Sequence, residues 1–81
     1  MKKLPRDVNA HQLIKLLGKH YGYIVSRQTG SHVRITTSIN GEHHITIPNH
    51  NPIKTGTLSS ILNAVALHHQ LRKDDLIDNI F

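Results

Sequence analysis

From residue 32 to residue 48 the chain alternates between apolar and polar side chains with a period of two. Val33 and Ile35 share one side and His32, Arg34 and Thr36 the other; past Asn40-Gly41, Ile45 and Ile47 are again set against His44 and Thr46. An extended strand sends successive side chains to opposite faces, so the pattern dictates strands with one dry face and one wet face. Asn-Gly is a strong two-residue hairpin signal, because both residues tolerate positive φ. The spacing therefore predicts an antiparallel pair, residues 33–37 and 43–48, joined by a tight turn at Asn40-Gly41. A Gly-centred stretch, Arg27-Gln28-Thr29-Gly30-Ser31-His32, predicts a second hairpin back to a short strand over 23–27.

On either side of this region the period lengthens. Ala10, Leu13, Ile14, Leu17 and Tyr21 recur at helical spacing behind Asn9, an N-cap residue with Gln12 placed to complete a capping box. A helix is predicted over 10–20, with Lys15, Lys19 and His20 suiting its C-terminal dipole and Gly22 stopping it. The run Pro48-Asn49-His50-Asn51-Pro52 ends the sheet, since proline cannot continue a ladder. Thr55-Gly56-Thr57 opens a second helix, either threonine serving as cap, with Leu58, Ile61, Leu62 and Val65 as its apolar stripe. His68, His69 and Gln70 close it. A third, short helix is predicted over 72–79, with Asp74 and Asp75 in its first turn. Residues 1–8 read as an extended lead-in, Pro5 turning Leu4 away from helix. The predicted class is α+β, in the order α-β-β-β-α with an added C-terminal helix. Two amphipathic helices cover one face of a three-stranded antiparallel sheet and leave the other wet. Double-stranded-RNA-binding domains use this layout, and they read shape, 2′-OH and phosphate.

Length and charge narrow the function. Eighty-one residues support a single domain, 1–81. Ten Lys and Arg against five Asp and Glu give a net charge of +5, which attracts polyanions and above all nucleic acid. The absence of cysteine excludes disulfides and thiolate metal sites and agrees with a cytoplasmic location. Eight histidines invite a metal reading, but no two stand four apart. His43 and His44 point to opposite faces of a strand, and His68 and His69 diverge by about 100° on a helix. The acids Asp7, Glu42, Asp74, Asp75 and Asp78 form no cluster to hold magnesium. No metal or other cofactor is expected. No apolar run approaches the ~18 residues of a membrane span, and no signal-peptide core follows Met1-Lys2-Lys3.

Chemistry concentrates at the first hairpin. The turn delivers His32 to the start of a strand, with Arg27 and Arg34 on either side. Imidazole exchanges a proton near neutral pH, and guanidinium holds phosphate in fixed geometry. With Val33 and Ile35 facing the helices, His32 and Arg34 stand on the uncovered face, and parity places His44 and Thr46 there too. Each choice has a plainer counterpart. An exposed strand histidine often does nothing, arginines solvate a sheet face, and Ser31 beside a glycine turn serves local hydrogen bonding. Gly56 and Thr57 start a helix whose N–H groups could receive phosphate. His50 could simply order the Pro48 to Pro52 loop, and Lys2, Lys3 and Arg6 form a solvated tail.

Gly30-Ser31-His32 followed by Pro48-Asn49-His50 and then Gly56-Thr57-Leu58-Ser59-Ser60-Ile61-Leu62 resembles the HicA (YcfA-like) toxins of bacterial and archaeal toxin–antitoxin pairs. The resemblance runs from Asn9 to Leu62. It implies a double-stranded-RNA-binding-domain-like fold and ribosome-independent cleavage of mRNA, the activity of an mRNA interferase. It also implies neutralisation, within a toxin–antitoxin hetero-oligomer, by a HicB-type antitoxin that covers the active face. His32 matches the catalytic histidine of that family's Gly-Ser-His motif. RNA carries its own nucleophile, so such a nuclease needs proton transfer and charge stabilisation without a metal. His32 takes the 2′-OH proton, Arg27, Arg34 or Lys54 offsets charge on the phosphorane, Ser31 donates to phosphate, and His44, His50 or a water protonates the leaving oxygen. The alternative is an RNA-binding module without chemistry on the same face, or a chain that only binds a protein partner.

Overall fold

The computed structural model describes residues 4–81, so the expectations for Lys2 and Lys3 lie outside it. In chain order the elements are α1 (Ala10–Tyr21), β1 (Ile24–Thr29), β2 (His32–Thr37), β3 (His43–Pro48), α2 (Thr55–His68) and α3 (Lys73–Ile80). The strands form one antiparallel sheet in the order β1-β2-β3. This is the expected α+β layout, with α3 as the addition.

Local chemistry sets the ends of α1. Asn9 Oδ1 accepts the Gln12 N–H (2.7 Å), and Gly22 at φ 72° returns its own N–H to Gly18 O (3.1 Å). A side chain at that φ would be strained, so glycine terminates the helix where the sequence places it. The lead-in is held as well. Val8 is buried and its carbonyl accepts the Ile53 N–H (2.8 Å), while Asn51 Oδ1 accepts the Ala10 N–H (3.2 Å). The loop after β3 is thereby tied to the start of α1.

Alternation on β2 and β3 decides the core. Val33, Ile35, Ile45 and Ile47 are buried beside Leu13 and Leu17 of α1, Leu58, Ile61, Leu62 and Val65 of α2, and Leu76, Ile77 and Ile80 of α3. The opposite side chains of the two strands are exposed or half-buried. The helices therefore lie against one side of the sheet, as expected.

Four expectations are corrected. β1 runs from Ile24 to Thr29, one residue later at its start and two later at its end than predicted. Tyr23 lies outside the strand because its ring is drawn into the core (2% exposed). β1 also overhangs the helices: all six of its residues are exposed, including Ile24 and Val25. Asn40-Gly41 is the tip of a longer loop, since Thr37 pairs with His43 and residues 38–42 intervene; both tip residues still hold positive φ, 58° and 94°. At α2, Thr55 is the first helical residue and Lys54 the cap, with no side-chain cap bond. The third helix spans Lys73–Ile80 with Arg72 as its cap, so that Ile80 reaches the core.

Candidate nucleic-acid interface

The first hairpin is as tight as its sequence suggests. Thr29 pairs with His32, leaving Gly30 (φ 56°) and Ser31 as a two-residue loop. Glycine at the first loop position supplies the backbone sign that matches strand twist. Strand register then arranges the open face in rungs along β2. His32 lies between Thr29 and Pro48, Arg34 between Arg27 and Thr46, and Thr36 between Ile24 and His44. A register break between Val25 and Arg27 leaves Ser26 as an extra residue, and its hydroxyl reaches Thr36 Oγ1 on the same face (2.7 Å).

Arg27, Thr29, His32, Arg34 and Thr46 line one open groove of about 180 Å³. Two guanidinium groups face each other across the strand pair there, a placement that costs stability through like-charge repulsion. Among the described residues the ion pairs are Arg72 with Asp75 and His44 with Glu42, so no carboxylate neutralises this pair. The groove thus presents two uncompensated guanidinium groups, with an exposed imidazole at one end and two threonine hydroxyls on its walls.

Of the residues singled out from the sequence, the structure brings His32, Arg27 and Arg34 together. Ser31 sits in the turn, where its carbonyl accepts the Asn49 N–H (2.6 Å). His50 follows Asn49 and is exposed, so its loop runs beside the turn that carries His32. Lys54 is exposed at the start of α2 and outside the groove lining. His44 shares the open face, as parity requires, but stands level with Thr36. Four residues of strand separate it from His32, or ~13 Å. Its Nδ1 is 2.8 Å from Thr36 Oγ1 and its Nε2 is 3.2 Å from Glu42 Oε2. Sequence reasoning missed Thr29 and the Ser26-Thr36-His44-Glu42 chain. Thr29 was legible once Gly30-Ser31 was taken as the whole loop; the bulge that turns Ser26 onto the open face left no signal.

The remaining strand histidine is used differently. His43 points away from the open face, and Tyr23 Oη is 2.8 Å from its Nδ1 and 3.1 Å from His69 Nε2. Asn40 Nδ2 lies 3.5 Å from His69 Nδ1, so both nitrogens of His69 face a polar neighbour. His68 stacks on His43 (centroids 4.3 Å, 8° apart) and donates from Nε2 to Ile39 O (2.9 Å) and Gly41 O (3.1 Å). Burial pushes the Tyr23 hydroxyl up to about 12. Burial, helped by the other histidines, holds His43 and His69 below the usual imidazole range. Adjacent on the chain, His68 and His69 meet in this cluster because His69 has already left the helix as its C-cap.

No helix is long and apolar enough to cross a membrane among the described residues. No curated protein and no solved structure matches the chain. The family model described as HicA toxin of bacterial toxin-antitoxin matches residues 10–67. That span reaches from the first residue of α1 to the last turn of α2 and includes all three strands and the cationic groove. The chain therefore belongs to the HicA toxin family, toxins that work in pairs with an antitoxin.

Proposed function

We propose that the chain is an endoribonuclease toxin that cleaves mRNA in the cytoplasm without ribosome or metal, and that a HicB-type antitoxin silences it by covering the open sheet face. The observation that carries this reading is an exposed imidazole beside two uncompensated arginines in one groove. A phosphodiester placed between Arg27 and Arg34 has its negative charge met from both sides, most strongly as charge builds on the phosphorane. His32 takes the proton of the adjacent 2′-OH, and the 2′-oxygen attacks phosphorus. The bond from phosphorus to the 5′-oxygen breaks, leaving a 2′,3′-cyclic phosphate and a 5′-hydroxyl. That leaving oxygen takes its proton from water or from His50. His44 is too far down the strand to serve the same phosphodiester.

General acid–base catalysis of this kind contributes ~10²–10⁴ in rate. The test is incubation of the purified protein with RNA in EDTA. Wild type is expected to cut, and His32→Ala to cut ~10²–10⁴-fold more slowly with its fold intact. RNA bound but left whole by the wild type would make the chain a binding module instead.

A further inference from the structure

Beyond the groove the open face changes character. The first two rungs carry His32, Arg27 and Arg34; the third carries Ile24, Ser26, Thr36 and His44, and there the polar groups are tied into a chain. Glu42 Oε2, 3.2 Å from His44 Nε2, draws the imidazole proton to that nitrogen. His44 Nδ1 lies 2.8 Å from Thr36 Oγ1 on its other side. Thr36 Oγ1 in turn lies 2.7 Å from Ser26 Oγ, and the Ser26 O–H donates to the Arg34 carbonyl at 3.2 Å. Every side-chain proton of the chain is directed inward, so Ser26 and Thr36 present oxygen lone pairs to whatever lies on the face. Ile24, paired with Thr36 and 69% exposed, adds an apolar surface beside them.

We infer that this rung is a base-reading subsite for a nucleotide flanking the one that is cut, selective for adenine and cytosine, the bases whose major-groove edge carries an amino group where guanine and uracil carry a carbonyl. The inference rests on the RNA-cleaving reading above and names what that face recognises. At ~13 Å from His32 the rung is beyond the reach of the reacting phosphodiester and level with a neighbouring nucleotide. Single-stranded RNA can splay an unstacked base onto such a surface. Adenine N6 and cytosine N4 are donors on the edge where uracil and guanine carry carbonyl oxygens. Two acceptor hydroxyls accept from the first pair and set oxygen against oxygen with the second. Ile24 gives the ring an apolar face to lie against.

The test is cleavage of a random single-stranded RNA by wild type and Thr36→Val, with sequencing of the product ends. Wild type is expected to enrich adenine and cytosine at one position near the cut by roughly five- to tenfold, the worth of one hydrogen bond. Thr36→Val flattens that preference. An even base distribution in wild type, or a preference that survives the substitution, overturns the inference. Ser26→Ala, at an exposed position, is expected to produce the same flattening and stands in should Thr36→Val fold poorly. A wild type that cuts no RNA removes the nuclease reading alone. The subsite is then decided by binding, through selection of the same random RNA on wild type and on Thr36→Val. Adenine and cytosine enrichment lost in the variant upholds it, and identical base composition overturns it.

Discussion

The two ends of the sheet hold the same residue type in opposite settings. At the β1–β2 turn His32 is exposed, between arginines, in an open groove. At the far end His43 and His69 share one buried tyrosine hydroxyl, and His68 pins the β2–β3 loop by two carbonyls. The contrast follows from position on the strand. His32 and His43 occupy opposite parities relative to Val33 and Ile35, so one is turned to water and the other toward α2. An imidazole whose nitrogens are committed to neighbours is poorly available for proton transfer to a substrate, whereas an exposed one offers both nitrogens. Histidine content alone therefore says little about function here; partner and face say more.

If the open end is tuned for an anion and the closed end for cohesion, substitutions should separate along that line. For the arginine pair the larger expected effect is on RNA affinity. Arg27→Ala and Arg34→Ala each remove a charged hydrogen-bond donor, a loss of ~1.5–3 kcal/mol, and each lowers the salt dependence of binding by about one phosphate contact. Filter binding across a salt series reads both. The same substitutions should leave the free protein slightly more stable, by ~0.2–1 kcal/mol, because they relieve a like-charge pair across the strands. A loss of stability would mean the arginines hold the fold, and the contrast between the ends would fail.

At the closed end the order reverses. Tyr23→Phe leaves His43 Nδ1 and His69 Nε2 without their shared partner and should cost ~1–3 kcal/mol in urea unfolding, with RNA affinity unchanged. The smallest effect is that of acid. His43 and His69 titrate below their unfolded value, near 6.5, so the unfolded chain binds more protons as the pH drops. Their contribution is complete above that value and is lost as pH falls through the folded pKa. Urea midpoints at pH 7.5 and 5.0 should show the lower value at pH 5.0.

Much of this was legible in the sequence, and what was not has a physical cause. Alternation in β2 and β3 gave the open face, including Arg34, Thr46 and His44, because a period of two leaves no freedom once Val33 and Ile35 are buried. Asn9 and Gly22 marked the ends of α1 through strictly local chemistry. β1 was misplaced because its six residues are all exposed, so no buried side chain fixes its phase. The Asn40-Gly41 signal named the right residues and the wrong loop length, since His68, 27 residues away, holds Gly41 where it is. The histidine cluster joins positions 20 and 46 apart and so cannot be read from neighbours on the chain. The arginine pair across β1 and β2 required a register that only the Gly30-Ser31 turn and the bulge at Ser26 together define.

The most direct measurement of the central claim sets His32→Ala beside His69→Ala, scoring RNA cleavage in EDTA and thermal unfolding for both. A crossover is expected. His32→Ala should lose ~10²–10⁴ in rate and keep its unfolding temperature, while His69→Ala should unfold earlier and still cut at low temperature. Cleavage that persists in His32→Ala at its wild-type unfolding temperature would contradict it.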